Sequence, residues 1–388
     1  MRYDFDRLIE RRGTNSIKYK FYDPDVLPMW VADMDFTAPP AVLDALRAQV
    51  EHGIFGYELP SEALIETVCA RLRRLYGWSV TSKEVIVIPG LVTGFNVAAR
   101  ALCAPGDGYL LQPPIYFPML DVQKNVGLER HDAPLVPALD GHTLRYEVDF
   151  DALEAALRPN TRMFLFCHPH NPAGKVFPRT ELERLAEVCL RHGLVICSDE
   201  IHCELLLGGA THTPLAALAP EVADRTVTLF APSKTFNTAG LFCGFAIIPN
   251  PELRQRFQAV VSAFTLHAAS SGLVAAQAAL SPATDDWLAE LRAYLTANRD
   301  TLVAYVRDCL PGLRTTVPDA TYLAWLDCRD LDLPESPFEF FLQRARVALN
   351  DGATFGPGGE GFVRLNFGCP RATLMEALER MRRALAER

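Results

Sequence analysis

The sequence predicts an α/β fold: a mostly parallel sheet covered by helices on both faces, with a second, smaller α/β unit attached. From residue 84 onward, short apolar runs alternate with longer helical stretches, which is the pattern of a covered parallel sheet. A long helical stretch, 287–310, is followed by a further set of short strands and helices. The 388 residues also exceed what one small core organises. We therefore expect an N-terminal arm with part of the small domain (1–44), a large domain (45–285) and a C-terminal small domain (286–388).

The individual elements follow from this alternation. Strands of the large sheet are predicted at 84–88, 109–112, 163–167, 194–198, 227–230 and 242–248. Helices are predicted at 41–51, 91–102 and 180–192, the last with a capping box formed by Thr180 and Glu183. In the C-terminal part we expect strands at 321–327, 346–349 and 361–367, and helices that begin at Pro337 and Arg371.

Composition narrows the class of protein. Hydrophobic residues make up 49% and charged residues 22%, ordinary values for a folded chain with a sizeable core. The net charge of -9 argues against a nucleic-acid or anionic-membrane partner, and no apolar run reaches the length of a membrane span. Ten cysteines are scattered without a Cys-x-x-Cys pair, and His168 and His170 have no third ligand nearby, so we predict reduced thiols, no metal and a cytoplasmic location.

The loop 231–237, Ala-Pro-Ser-Lys-Thr-Phe-Asn, directly follows a predicted buried strand. Its small and turn-forming residues suggest a loop that holds Lys234 inward. Taken alone, Lys234 could be an ordinary surface lysine. Other parts of the chain favour a Schiff-base lysine instead.

Three more polar or aromatic side chains, Asp199, Asn171 and Tyr116, stand at or just beyond predicted strand ends, and Gly90 opens a helix whose free amides could hold a phosphate. Carboxyl ends of parallel strands meet at one edge of a sheet, where such folds bind ligands. Pyridoxal 5'-phosphate requires a lysine, an acidic group, an amide donor, a phosphate site and an aromatic ring. A carboxylate about 4 Å from the ring nitrogen would contribute about 4 kcal/mol at an effective dielectric near 20, enough to keep that nitrogen protonated. Singly, Asp199 could cap a turn and Tyr116 could be core.

Arg364 lies within an otherwise apolar predicted strand, 361–367. A buried guanidinium needs an anion, and either a substrate carboxylate or an internal salt bridge would serve. The neighbouring run 356–361, Gly-Pro-Gly-Gly-Glu-Gly, fits the dinucleotide fingerprint by letter, but a strand follows it where that motif requires a helix. The run therefore does not predict a nicotinamide site.

Several short motifs in this order resemble one family. They are Asp-Phe-Asp at 4–6, Arg-Gly-Thr at 12–14, the segment 30–36, Phe-Gly-Tyr at 55–57, Asp-Glu-Ile-His at 199–202 and Ser-Lys-Thr-Phe-Asn at 233–237. Together with the spacing of Asp199 and Lys234, they resemble the fold-type I pyridoxal phosphate enzymes, and among these the MalY/PatB-type C–S lyases, also called cystathionine β-lyases. The resemblance implies a large cofactor-binding domain with a mostly parallel seven-stranded sheet.

The resemblance also implies roles for individual residues. Lys234 would form the Schiff base, Asp199 would pair with the pyridinium, Asn171 would donate to the ring oxygen and Tyr116 would stack on the ring. The remaining predicted cofactor-binding residues are Gly90, Leu91, Val92, His202, Ser233 and Tyr57, the last reaching across a dimer, and the predicted substrate-binding residues are Arg364, Trp30 and Tyr57. Two positions depart from the broader aminotransferase pattern: His202 stands where many have a tyrosine, and Phe242 where many have an arginine.

The implied activity is α,β-elimination of cystathionine or a related cysteine thioether to a thiol, pyruvate and ammonia. The expected partner is a small amino acid substrate, and the expected active unit is a homodimer. One alternative is an aminotransferase on the same scaffold, because fold does not fix reaction. A second is a regulatory binding protein that acts on a transcription activator.

Overall fold

The computed structural model describes residues 2–388 and contains two main sheets and one short strand pair. The strands are β1 Leu27–Pro28, β2 Val85–Ile88, β3 Gly108–Leu111, β4 Glu129–Asp132, β5 Val136–Asp140, β6 Thr143–Glu147, β7 Thr161–Cys167, β8 Val195–Asp199, β9 Thr226–Phe230, β10 Gly244–Ile247, β11 Arg314–Thr316, β12 Leu323–Asp327, β13 Val347–Ala348, β14 Asn350–Asp351 and β15 Phe362–Asn366.

Helices surround these sheets. They are α1 Ile17–Lys20, α2 Pro40–His52, α3 Glu62–Tyr76, α4 Leu91–Leu102, α5 Phe117–Leu120, α6 Val122–Val126, α7 Phe150–Ala155, α8 Arg179–Arg191, α9 Pro220–Ala223, α10 Pro251–Ala263, α11 Ser270–Leu280, α12 Asp285–Cys309, α13 Pro337–Gln343 and α14 Arg371–Ala386. Short 3-10 turns lie at Ser82–Glu84, Leu215–Ala217, Ala239–Leu241, Pro282–Thr284 and Gly352–Phe355.

The first sheet has seven strands in the order β2-β10-β9-β8-β7-β3-β4. All its pairings are parallel except those of β10, which runs antiparallel to both neighbours. Helices α4 and α10 cover one face, through Phe95 and Phe257, and helices α7 and α8 cover the other, through Leu153 and Leu185. The predicted α/β fold with a mostly parallel seven-stranded sheet is confirmed.

The second sheet has six strands in the order β14-β15-β12-β11-β6-β5. Its last two strands form a hairpin from the middle of the chain, attached by parallel pairing of Thr143 with Thr315. The hairpin lies within the range 45–285 that the sequence assigns to the large domain, and its two strands are not among the predicted strands. Strand β5 is largely exposed and so carries little apolar signal. The division into three segments stays a prediction.

Most predicted helix bounds agree with the structure to within two residues, but the predicted cap of α8 is wrong. Helix α8 begins at Arg179 after Pro178, without a side-chain cap. Thr180 is therefore already inside the first turn, and Glu183 pairs with Arg179 at 2.8 Å instead of with the backbone. The predicted glycine stop of α2 is correct, since Gly53 takes a left-handed conformation at its end.

The segment 30–36 is irregular for most of its length, so its backbone groups need partners outside regular structure. Asn366 donates to the carbonyls of Val31 and Asp33, each at 2.6 Å. Asn237 accepts from the Met34 N–H at 3.0 Å and donates to its carbonyl at 2.8 Å. Asparagines from two distant parts of the chain thus hold this segment in place.

Two cations brace the same segment from the N-terminal arm. Arg11 bonds to Asp33 at 2.7 Å and Asp35 at 2.6 Å, and the buried Lys18 bonds to Asp35 at 2.8 Å. These pairs are partly or wholly removed from water, so they are screened less than surface pairs. The arm is therefore fixed to the segment that enters the cavity described below.

We predict that Asn366→Ala lowers the free energy of unfolding by about 3 kcal/mol, because it removes one hydrogen bond from each of two carbonyls and leaves the buried Gly368 N–H without a partner. Urea denaturation monitored by circular dichroism measures the change. The matched control is Asn160→Ala, since Asn160 makes two similar bonds at an exposed position and should change stability little. Equal effects of both variants would contradict the prediction.

Candidate active site

A cavity of about 360 Å³ opens at the carboxyl ends of β7, β8 and β9. A larger cavity, of about 500 Å³, lies beside β6 and the start of α8, but its lysine, Lys175, is already paired with Glu181 at 2.8 Å. The smaller cavity holds the predicted lysine and is the candidate site. Its walls are formed by Ala32, Pro89, Gly90, Leu91, Val92, Thr93, Tyr116, Cys167, Asn171, Asp199, Ile201, His202, Ser233, Lys234, Ala239, Phe242 and Cys243.

Lys234 projects from the loop after β9 into this cavity. Its Nζ donates to the Ala32 carbonyl at 2.7 Å. Burial, with the charge of Arg364 as a second cause, lowers the Lys234 pKa to about 8. The uncharged fraction of this amine near neutral pH is therefore far larger than that of an ordinary lysine, and the uncharged amine is the form that a nucleophile or base requires.

Asp199 is the last residue of β8, and its carboxylate is buried. Burial raises its pKa to about 7, although the Ile201 N–H donates to it at 3.1 Å and Lys234 lies near. His202 is also buried in the wall, where burial lowers its pKa to about 3 and keeps the imidazole neutral. A cationic group placed against Asp199 would stabilise its charged form.

The opposite part of the wall is the start of α4. Gly90 precedes the helix, and Leu91, Val92 and Thr93 form its first turn, where backbone N–H groups have no partner within the helix. The hydroxyl-bearing residues Thr93 and Ser233 line the same cavity. This arrangement suits a phosphate. Phe242 also lines the wall, at the position where many aminotransferases have an arginine.

Arg364 lies on β15 and is buried. Its guanidinium donates to Asn171 Oδ1 at 2.9 Å, to the Trp30 carbonyl at 3.2 Å and to Asn350 Oδ1 at 2.5 Å, while its Nε has no partner. All three acceptors are neutral, and within residues 2–388 no carboxylate lies in salt-bridge range of this guanidinium. The internal salt bridge that the sequence left open is therefore not formed.

Most of the predicted site residues meet in this cavity, with Arg364 joined to it through Asn171. Trp30 contributes its carbonyl to Arg364, but its indole packs against Phe21 and Tyr22, with ring centres 5.0 and 5.6 Å away. Tyr57 is fully exposed and does not line its own chain's cavity.

Three contacts were not predicted from the sequence. The Ala32 carbonyl accepts from Lys234, Tyr322 donates to the same carbonyl, and Asn350 accepts from Arg364. Ala32 and Asn350 carried no usable signal, because a backbone carbonyl and an asparagine in a short strand are common features. The positive φ of Thr321, next to Tyr322, becomes visible only in the structure.

Fold and site together define a class of protein. Residues 24–381 match the family Aminotransferase class I and II, and the chain belongs to that family. Within the part of the chain that the structure describes, no helix is both long and apolar enough to cross a membrane.

Individual relatives narrow the class of protein within this family. The chain is 40% identical to cystathionine beta-lyase PatB of Bacillus subtilis, covering 99% of this chain and 100% of the relative. It is 30% identical to protein MalY of Escherichia coli, covering 96% of each. The crystal structure of cystalysin from Treponema denticola, which contains pyridoxal 5'-phosphate, has a TM-score of 0.95 at 31% identity and covers all of both chains. The resemblance to MalY/PatB-type enzymes is confirmed.

We predict that Asp199→Asn stabilises the ligand-free chain at pH 8 but not at pH 4. The folded-state pKa of Asp199 is raised from 3.8 to about 7. The folded chain therefore loses stability as pH rises through that range, because the buried carboxyl ionises less readily than it does in the unfolded chain. The full shift corresponds to about 4 kcal/mol, and the asparagine does not titrate. Urea unfolding of dialysed protein at both pH values tests this. The prediction would be contradicted if, between pH 4 and pH 8, the parental chain lost no more stability than the variant.

Proposed function

We propose that this chain is a pyridoxal phosphate-dependent carbon–sulfur β-lyase. It cleaves cystathionine or a related cysteine thioether to a thiol, pyruvate and ammonia. The observation that carries the proposal is Arg364, a buried cation held by neutral oxygens only, close enough to Lys234 for its charge to lower the pKa of that amine. Such a guanidinium is prepared for a substrate carboxylate next to a reactive amine.

The residues present fit the cofactor. The buried carboxyl of Asp199 suits a ring nitrogen that carries a proton, and the half-buried ring of Tyr116 offers a flat face for stacking. Asn171 can donate to the ring oxygen through its amide nitrogen, since its Oδ1 is used by Arg364. The first turn of α4, with Ser233 and Thr93, would hold the phosphate.

When bound, the cofactor would supply an aldehyde for imine formation with the substrate amine and a ring able to store the electron pair left at Cα. Arg364 binds the substrate carboxylate and so fixes the orientation of Cα. The Lys234 amine takes the Cα proton as general base, which allows the thiolate at Cβ to leave. Asp199 would keep a proton on the ring nitrogen. Addition of water to the remaining three-carbon unit gives pyruvate and ammonia.

An aminotransferase would use the same proton removal at Cα, so the site geometry alone suits both reactions. The full-length similarity to a cystathionine beta-lyase supports elimination. Phe242 and His202 stand where many aminotransferases place an arginine and a tyrosine, and this departure also favours the lyase.

We further propose a homodimer in which Tyr57 reaches the neighbouring site. The loop after α2 exposes Ile54, Phe55, Tyr57 and Leu59 together, and a contiguous apolar loop of this kind is typical of an interface. We also propose a cytoplasmic location, because each of the ten cysteines is free among the described residues.

We predict that Lys234→Ala lowers the rate of pyruvate release from cystathionine by at least about a thousandfold, since both the Schiff-base amine and the general base are lost. Pyruvate formation coupled to lactate dehydrogenase measures the rate. The control Lys124→Ala removes a lysine in an exposed pair with Asp121 and should retain the parental rate. The same preparations are incubated with alanine and 2-oxoglutarate. Glutamate formation without thiol release would overturn the lyase assignment in favour of the aminotransferase.

We predict that Asn350→Asp raises the KM for cystathionine about tenfold or more, with a smaller effect on kcat. The aspartate keeps the bond to Arg364 but neutralises the guanidinium, so it competes with the substrate carboxylate. Steady-state kinetics measure both constants. Asn15→Asp is the control, because Asn15 lies outside the cavity and its Oδ1 also accepts from a cation, the exposed Lys20, so it adds the same charge beside a cation that does not bind substrate. An unchanged KM in Asn350→Asp would show that Arg364 does not bind the carboxylate.

A further inference from the structure

Tyr322 is a buried tyrosine that shares a hydrogen-bond acceptor with Lys234. Its hydroxyl donates to the Ala32 carbonyl at 2.8 Å, and the Lys234 Nζ donates to the same oxygen at 2.7 Å. The ring also meets His202 edge to face, with centres 6.2 Å apart. One carbonyl oxygen therefore joins a tyrosine hydroxyl to the reactive amine.

The backbone next to Tyr322 is strained. Thr321 has a φ of +75°, which is rare for a β-branched residue, and its side chain is buried. Its N–H donates to the Leu205 carbonyl at 2.8 Å, and its hydroxyl accepts from the Leu323 N–H at 3.0 Å. These bonds hold the strained conformation, and strain of this kind is concentrated at functional sites.

We propose that Tyr322 is a positioning residue for the reaction: by donating to the Ala32 carbonyl, it fixes the oxygen that holds and orients the Lys234 amine when that amine is free. The inference rests on the proposed function only in taking Lys234 as the base. No covalent step is added.

The geometry has a direct chemical meaning. A neutral amine has two N–H groups and one lone pair. When one N–H points to the Ala32 carbonyl, the lone pair is free to face the cavity, where the Cα proton would lie. A carbonyl free to move would accept the same hydrogen bond without setting that direction.

The hydroxyl also affects the charge of the amine. Two donors share the Ala32 oxygen, so each weakens it as an acceptor for the other. Removing the hydroxyl strengthens the bond to the ammonium form of Lys234 and leaves space for water, and both effects favour the charged form. Other charged and titratable groups that face Lys234 are Arg364, Asp33, Asp199 and His202, and the variants below leave them unchanged.

Tyr322→Phe tests the proposal. In the cofactor-free chain, we expect the Lys234 pKa to rise by about half a unit to one unit. Competitive labelling with trace acetic anhydride across pH, followed by mass spectrometry of the Lys234 peptide, measures this without turnover. In the loaded enzyme, the acid limb of the kcat profile should move to higher pH by a similar amount, while KM stays near the parental value.

The matched control is Tyr109→Phe, because Tyr109 is also buried and donates to a backbone carbonyl, that of Met119 at 3.1 Å, outside the cavity. It should leave the Lys234 pKa unchanged. A second variant keeps the packing: 3-fluorotyrosine at position 322 is a stronger donor and should lower the Lys234 pKa. Unchanged labelling in both Tyr322 variants overturns the proposal, whether or not the parental chain cleaves thioethers. A parental chain without lyase activity overturns the proposed function, and the labelling then still decides the role of Tyr322.

Discussion

The site depends on the run of backbone carbonyls from Trp30 to Asp33. Each of these four carbonyls accepts a hydrogen bond from at least one side chain elsewhere in the chain, and the donors include Arg364 and Lys234. Because the segment is irregular, its carbonyls have no strand or helix to satisfy them, and a buried unpaired carbonyl is costly. The side chains that stabilise the segment are therefore the same ones that the segment positions. The stability of this segment and the geometry of the side chains that line the site are therefore coupled.

The ionisable groups of the cavity are held by neutral hydrogen-bonding groups and not by oppositely charged side chains. Arg364 is solvated by neutral oxygens, Lys234 by a carbonyl, and Asp199 by a backbone N–H. None of these contacts removes the charge, so each group remains able to bind an ionic or protonated group of a ligand. The raised pKa of Asp199 and the lowered pKa of Lys234 both reflect burial, which disfavours the charged form of each group.

The sequence predicted six of the seven strands of the large sheet and much of the site because both follow from local patterns. Buried parallel strands give apolar runs, and their carboxyl ends meet at one edge, so Asp199 and Lys234 could be placed without coordinates. The missing contacts are those of high sequence separation: Tyr322 and Ala32 are 290 residues apart. The β5–β6 hairpin was missed for a related reason, since its place in the second sheet depends on pairing with β11 and not on its own polar sequence.

The floor and the rim of the cavity differ in chemistry. The floor carries Asp199 and Lys234, whereas Val92 and Phe242 at the rim are apolar and exposed. Phe242 also has a left-handed backbone, with φ at +52°, which is unfavourable for a bulky residue. In the proposed dimer, a second chain covering this rim would exclude water from the floor. Charge interactions strengthen as water is removed, so the apolar rim would increase the effect of every charged group beneath it.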